Sequence, residues 1–192
     1  RSVIMYFGLS EEQKSLEENI SKFLSDNAPL DTIKAVADGE EAKADEIHKG
    51  IIELGLSGLM VPESYGGLEL NMLFATVVSS VLGSGTAPVP YAGAYVMAPI
   101  AITLAGDEDQ KNEWLPKIAG GEKIIGVGLS EFVGAREDAG IEFDKGKVSG
   151  RSLFLIDGKN ADAYLLANKS GELFLIDSSS KGITVTELVT VD

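Results

Sequence analysis

Pro116-Lys117-Ile118-Ala119-Gly120-Gly121-Glu122-Lys123-Ile124-Ile125-Gly126-Val127-Gly128-Leu129 holds the point at which the chain changes texture. Before Gly120-Gly121 the apolar residues recur every three or four positions, and after it they run together or alternate. The first pattern is the signature of amphipathic helices and the second of strands. Working back toward the N-terminus, Ser10 followed by Gln13 predicts a capping box, and Leu16, Ile20, Phe23 and Leu24 then form one stripe up to Pro29. A second helix is expected from about Glu40 to Leu54, closed by Gly55. A third should start at Asn71 and end at Gly83 to Gly85. Tyr91 to Ala105 carries no charge, which predicts a helix buried among its neighbours. Asp107 and Gln110 should cap the last helix.

Working forward, Ile124 to Leu129 predicts a short strand. Glu142 to Val148 is expected to form a hairpin around Asp144-Lys145-Gly146. Tyr164 to Ala167 and Leu173 to Ile176 flank Asn168-Lys169-Ser170-Gly171, a second hairpin signal. Ile183, Val185, Val189 and Val191 are β-branched and partly alternate, which predicts a further strand. The reading is an α+β chain. An all-α domain over residues 1–124 precedes part of an antiparallel, barrel-like β domain over 125–192, incomplete at its C-terminal end.

The composition excludes several functions. Among 192 residues there is no Cys and one His, His48, so disulfides, thiolate metal sites, a cysteine nucleophile and poly-His sites are ruled out. No metal site is expected. The net charge of −14, from 30 acids against 16 bases, repels nucleic acid and anionic membrane surfaces. No apolar run reaches membrane-spanning length, and Arg1-Ser2-Val3-Ile4-Met5 lacks a secretory core, so a cytoplasmic location is expected.

Taken alone, the motifs carry little chemistry. Glu11-Glu12 and Glu40-Glu41 stand at helix starts, where acids complement the helix dipole. The 22 glycines include no strand–GxGxxG–helix unit and no Walker loop. Most read as helix stops and turns. Gly126 and Gly128 alternate within a predicted strand, where missing side chains can let a ligand or another stretch of backbone come close.

At Leu54-Gly55-Leu56-Ser57-Gly58-Leu59-Met60-Val61-Pro62-Glu63-Ser64-Tyr65-Gly66-Gly67 the sequence resembles the acyl-CoA dehydrogenase family, whose V-P-E-x-Y-G-G loop it reproduces. Ala98-Pro99-Ile100, Gly106-Asp107-Glu108-Asp109-Gln110-Lys111 and Leu115-Pro116-Lys117-Ile118-Ala119-Gly120-Gly121-Glu122 continue the likeness, as does Leu9-Ser10-Glu11-Glu12-Gln13. The resemblance implies a helical domain, a middle β domain and a C-terminal four-helix domain that this chain lacks. It implies FAD as cofactor and α,β-dehydrogenation of an acyl-CoA thioester. An electron-transfer flavoprotein or similar acceptor and a homo- or hetero-oligomer are implied as partners. The family's catalytic glutamate lies in the missing domain, so no catalytic residue is assigned.

The family's flavin segment, an aromatic residue, x, V/L, T, E, P and then x-A-G-S-D, is matched by Val127-Gly128-Leu129-Ser130-Glu131-Phe132-Val133-Gly134-Ala135-Arg136-Glu137-Asp138. Leu129 and Ser130 then imply flavin contacts, Phe132 replaces the proline, and Arg136 stands where a small serine lies near CoA. Arg136 either meets a CoA phosphate or fills the groove. The second flavin segment, G-x-K-x-W-I-T-N, corresponds to Gly150-Arg151-Ser152-Leu153-Phe154-Leu155-Ile156-Asp157. Phe154 keeps an aromatic face and Ile156 replaces the hydroxyl residue. The expected groove lies between the helix near Tyr91 to Ala105 and the strand from Val127 to Ser130. A second function is carried beside the first: a noncatalytic partner subunit of a heteromeric acyl-CoA dehydrogenase, with a degenerate flavin site.

Overall fold

The computed structural model describes residues 8–129 and 139–188. They form two compact units, the first made of the described residues up to Leu56 together with Leu70–Val89, the second of Ser57–Glu69 and everything from Pro90 onward. This division does not run along the boundary at 124 drawn from the change of period.

The first unit contains four helices: α1 Glu11–Asn27, α2 Leu30–Ala37, α3 Glu41–Glu53 and α4 Met72–Ser84. The capping box forms as the sequence predicts: the Gln13 N–H donates to Ser10 Oγ at 3.2 Å, and the Ser10 N–H to Gln13 Oε1 at 2.9 Å. Asn71 caps α4 by accepting from the Leu73 N–H at 3.0 Å. Gly55, at φ 78°, ends α3 in the left-handed region that favours glycine. The core joins Ile20 and Leu24 of α1, Ile47 and Ile51 of α3, and Val78, Val81 and Leu82 of α4. Fully burying one such side chain contributes about 1.5–3 kcal/mol. α2 is absent from the sequence reading because it buries no residue fully, so its apolar positions leave no clear stripe.

In the second unit, the loop from Val61 to Gly67 closes on itself. Its Glu63–Tyr65 turn ends at Gly66 with φ 83°, and the Leu68 and Glu69 N–H groups donate to Gly58 and Val61 carbonyls at 2.9 Å each. Gly67 lies so near the Val61 carbonyl that a β-carbon there would collide with it. The uncharged stretch becomes a π-helical turn, Ala92–Met97, leading into α5 Ala98–Ala105. Tyr91, Ala94, Tyr95, Ala98 and Ile102 are buried, whereas Leu104 is exposed, so the expected burial all round holds for one side only. α6, Glu108–Ala119, carries the Asp107–Gln110 box, with bonds of 2.8 and 3.0 Å.

Five strands follow among the described residues: β1 Ile125–Gly128, β2 Gly140–Asp144, β3 Lys147–Arg151, β4 Ala163–Ala167 and β5 Leu173–Asp177. β2 and β3 are antiparallel, with Asp144 opposite Lys147. The two residues between have φ 49° at Lys145 and 79° at Gly146, the type I′ geometry that matches strand twist. β4 and β5 are antiparallel, from Ala163 opposite Asp177 to Ala167 opposite Leu173. The turn between them is organised by the buried Asn168, whose Oδ1 accepts from the Ser170 and Glu172 N–H groups at 3.0 Å each.

Three expectations need correction. β1 runs parallel to β4, from Ile125 opposite Ala163 to Gly128 opposite Leu166, because the long connection from Leu129 to Asp162 gives the chain room to return in the same direction. The region is therefore mostly antiparallel. The described strands form one sheet in the order β1-β4-β5 and a separate pair β2-β3, with no closed barrel among the described residues. Ile141, Ala161, Tyr164 and Leu166 make the core of this region, with Val148, Leu155 and Phe174 packed against it. Residues 183–188 form no strand and Ile183, Val185 and Leu188 are exposed, so alternation finds no described face to bury against. Val189 and Val191 lie outside the described residues.

Among the described residues no helix is long and apolar enough to cross a membrane, and no three His, Cys, Asp or Glu side chains converge as metal ligands.

Candidate functional site

Two sequence segments, 127–129 and 154–156, meet in the second unit. The Val127 N–H donates to the Ile156 carbonyl at 2.8 Å, and the Ile156 N–H returns a bond to Val127 at 2.9 Å. This bridge is antiparallel. Leu155 packs inward against the sheet core. Its neighbours turn the other way: Phe154 is 54% exposed and Ile156 42%. Phe154 sits at φ 56°, a left-handed conformation unusual for a bulky residue. Leu129 is half-buried. Ser130 and Arg136, together with Phe132, lie outside the described residues.

Asp157 follows at φ 55°. Its Oδ2 accepts three backbone N–H bonds, from Tyr91 at 3.1 Å, Gly93 at 2.7 Å and Ala94 at 3.0 Å. These are orphan donors at the start of the π-helical turn, which has no capping side chain of its own. Gly93 makes the approach feasible: an added β-carbon would stand 2.9 Å from the Ile156 carbonyl oxygen and 3.1 Å from Asp157 Oδ2.

The two strand glycines are used in the same way. A β-carbon on Gly126 would stand 2.8 Å from Gly158 Cα, and one on Gly128 would collide with the Ser152 hydroxyl. The space they leave is filled by the chain's own 152–158 segment, not kept open for a flat ring. The groove expected between the uncharged helix and this strand is accordingly narrowed by direct packing of Gly93 on Ile156 and Asp157. The outward side of Phe154 and Ile156 is the accessible face.

Beside this segment, burial pushes the Tyr91 and Tyr95 hydroxyls above the ordinary phenol pKa of 10, and for Tyr95 the charges of Asp157 and Asp162 add to the effect. Both stay neutral at ordinary pH. Asp162 binds the start of β1, accepting from Lys123 Nζ at 2.6 Å and from the Ile124 N–H at 2.9 Å. That hydrogen bond, ahead of the charge of Asp162, raises the Lys123 pKa.

A flavin ring has a flat face and a polar edge. Phe154, Ile156 and Leu129 suit the face by apolar contact. None carries a side-chain hydrogen-bond donor, so among the described side chains at these positions the polar edge finds no partner. The residues fit the ring's face. Sequence reading missed Asp157 and Gly93. The available signal was a helix start near Tyr91 without a local cap, which implied an acceptor from elsewhere in the chain.

A helical region leading into a small, mostly antiparallel sheet has the architecture of the acyl-CoA dehydrogenase fold. Residues 10–122 match the family described as acyl-CoA dehydrogenase, N-terminal domain, and the chain belongs to the acyl-CoA dehydrogenase family. It is 28% identical over 171 residues to mitochondrial isovaleryl-CoA dehydrogenase of Bos taurus, covering 85% of this chain and 40% of that protein. Among solved structures, a variant of the Tcur3481-Tcur3483 steroid ACAD is 26% identical with a TM-score of 0.75, covering 90% of this chain and 49% of that one. An acyl-CoA dehydrogenase from Bacillus anthracis complexed with FAD gives a TM-score of 0.78 at 22% identity, covering 98% of this chain and 34% of the other. The chain thus spans half or less of each of these relatives.

Proposed function

We propose that this chain provides the helical and flavin-facing portion of an FAD-dependent acyl-CoA dehydrogenase acting on the α,β carbons of an acyl-CoA thioester. The observation that supports this reading is the bridge between Val127 and Ile156. It ties together the two segments chosen from the sequence and leaves Phe154 and Ile156 facing outward. In this reading Phe154 and Ile156 press on the flavin ring and Leu129 borders it. Ser130 offers its hydroxyl to the ring edge, and Arg136 meets the CoA phosphates. When bound, FAD accepts the β hydrogen of the substrate as hydride. An electron-transfer flavoprotein then serves as acceptor, and the base that removes the α proton is supplied from outside this chain's described residues.

The test is a fluorescence titration of the purified protein with FAD. Phe154→Ala should weaken binding about tenfold by removing an aromatic face. Ile156→Thr should tighten it about fivefold by restoring a hydroxyl partner. Flat titrations in the parent and both variants would contradict the reading.

The absence of a hydroxyl at Ile156 favours a second reading, a noncatalytic subunit in a heteromer with a degenerate flavin site. That reading expects flavin to be acquired only with a second chain present, and acyl-CoA binding to improve on Arg136→Ser.

A further inference from the structure

Asp157 lies between the candidate flavin face and the uncharged helix and touches both. On its N-terminal side is Ile156, fixed to Val127 by two backbone bonds. Its own carboxylate oxygen collects three N–H groups from Tyr91, Gly93 and Ala94, more than sixty residues earlier in the chain. Three of the residues between 154 and 160, Phe154, Asp157 and Asn160, hold positive φ without being glycine. Such conformations cost energy and persist only where surrounding contacts over-determine them. A carboxylate accepting several backbone N–H bonds is a strong contact of that kind.

We propose that Asp157 is a positioning residue for the flavin: by clamping the π-helical turn Ala92–Met97 it fixes the strained Phe154–Ile156 segment and so sets the orientation of Phe154 and Ile156 against the ring. This rests on the flavin reading of that face. Asp157 touches no part of the ring and acts through its neighbours. An asparagine retains one carbonyl oxygen for the same N–H groups, whereas an alanine retains none.

The experiment measures FAD affinity by fluorescence titration and the visible circular dichroism of the bound flavin. It compares the purified parent protein with Asp157→Ala, Asp157→Asn and Gly93→Ala. Asp157→Ala should lower affinity about twentyfold, and Asp157→Asn should recover it to within about fivefold of the parent. Gly93→Ala attacks the same clamp from the other side, since its β-carbon would crowd Ile156 and Asp157, and should lower affinity about tenfold. The dichroism of the remaining bound flavin should change in the alanine variants and return toward the parent in Asp157→Asn. A general loss of folding would lower the bound fraction and leave that spectrum unchanged. If Asp157→Ala does not fold, Gly93→Ala and Asp157→Asn decide. Parent-like affinity and spectrum in Gly93→Ala and Asp157→Ala, or in Gly93→Ala alone where the other is unfolded, would overturn the clamp and leave the flavin reading standing. A parent protein that does not bind FAD would overturn both.

Discussion

Both units bury an apolar core, and the second adds side chains and glycines that meet backbone far away in the sequence. In the first, Ile20, Leu24, Ile47, Ile51 and Val78 come from three helices into one apolar core. In the second, the distinctive contacts reach across the sequence to main-chain groups: Asp157 to three N–H groups, Asp162 to Ile124, and Ser57 Oγ to the Ala119 carbonyl at 2.8 Å. Apolar contacts tolerate small adjustments. A backbone group cannot swing aside, so the second unit should be the less forgiving of the two.

A matched pair of glycines gives the sharpest contrast. In the second unit, Gly67→Ala drives a β-carbon into the Val61 carbonyl and should cost about 4 kcal/mol, at the upper end for overpacking. In the first, Gly50→Ala meets only the far end of the Phe23 side chain, which can swing aside about its Cα–Cβ bond. It also gains helix propensity, so its net cost should stay below about 1 kcal/mol. Urea melts of the two variants check both values. Equal costs would erase the distinction between the units.

Alkaline pH should separate them next. The described tyrosines, Tyr65, Tyr91, Tyr95 and Tyr164, all lie in the second unit. Tyr91 and Tyr95 have folded pKa values above their ordinary value of 10. A group shifted in that direction gives stability that is complete below the unfolded pKa and is lost as pH rises toward the folded one. Each should cost at most about 1.4 kcal/mol per pH unit above 10. Hydrogen exchange followed between pH 9 and 11 should show second-unit amides losing protection first. Simultaneous loss in both units would break the comparison.

A smaller effect than that of Gly67→Ala comes from Ser57→Ala. It removes the bond to Ala119 and leaves that carbonyl without its partner, which should cost about 1–2 kcal/mol in a urea melt. A neutral result would mean that this side-chain-to-backbone bond adds little to the second unit.

The same difference explains what could be read from the sequence. The caps at Ser10, Asn71 and Asp107 and the stripes of α1, α3 and α4 are local and periodic, so they were legible. So were both hairpins, because Lys145-Gly146 and Asn168 set their own turns. The parallel partner of β1 was not legible, since nothing near Ile125 announces a strand at Ala163. α2 was hidden by its shallow burial. At the candidate site, resemblance picked out Phe154, Ile156 and Leu129, and only coordinates could show that the first two face outward. The role of Gly126 and Gly128 was half legible: a close approach was expected, but its occupant is the chain itself. The uncapped helix start near Tyr91 implied a distant acceptor, but nothing local singled out Asp157, whose partners lie more than sixty residues away.

The parallel pairing of β1 with β4 also sets an order of events during synthesis. β4 and β5 are neighbours in sequence and can pair as soon as both have left the ribosome. β1 emerges earlier and must wait, because Val127 bonds to Ile156 and the strand partner extends to Leu166. Closing that longer loop is the slower step. Until then β1 is an unpaired apolar edge, of the sort that recruits other nascent chains. Gly126 and Gly128 lower its tendency to extend. The residues that admit the 152–158 segment in the folded chain therefore also weaken the strand while it waits for its partner.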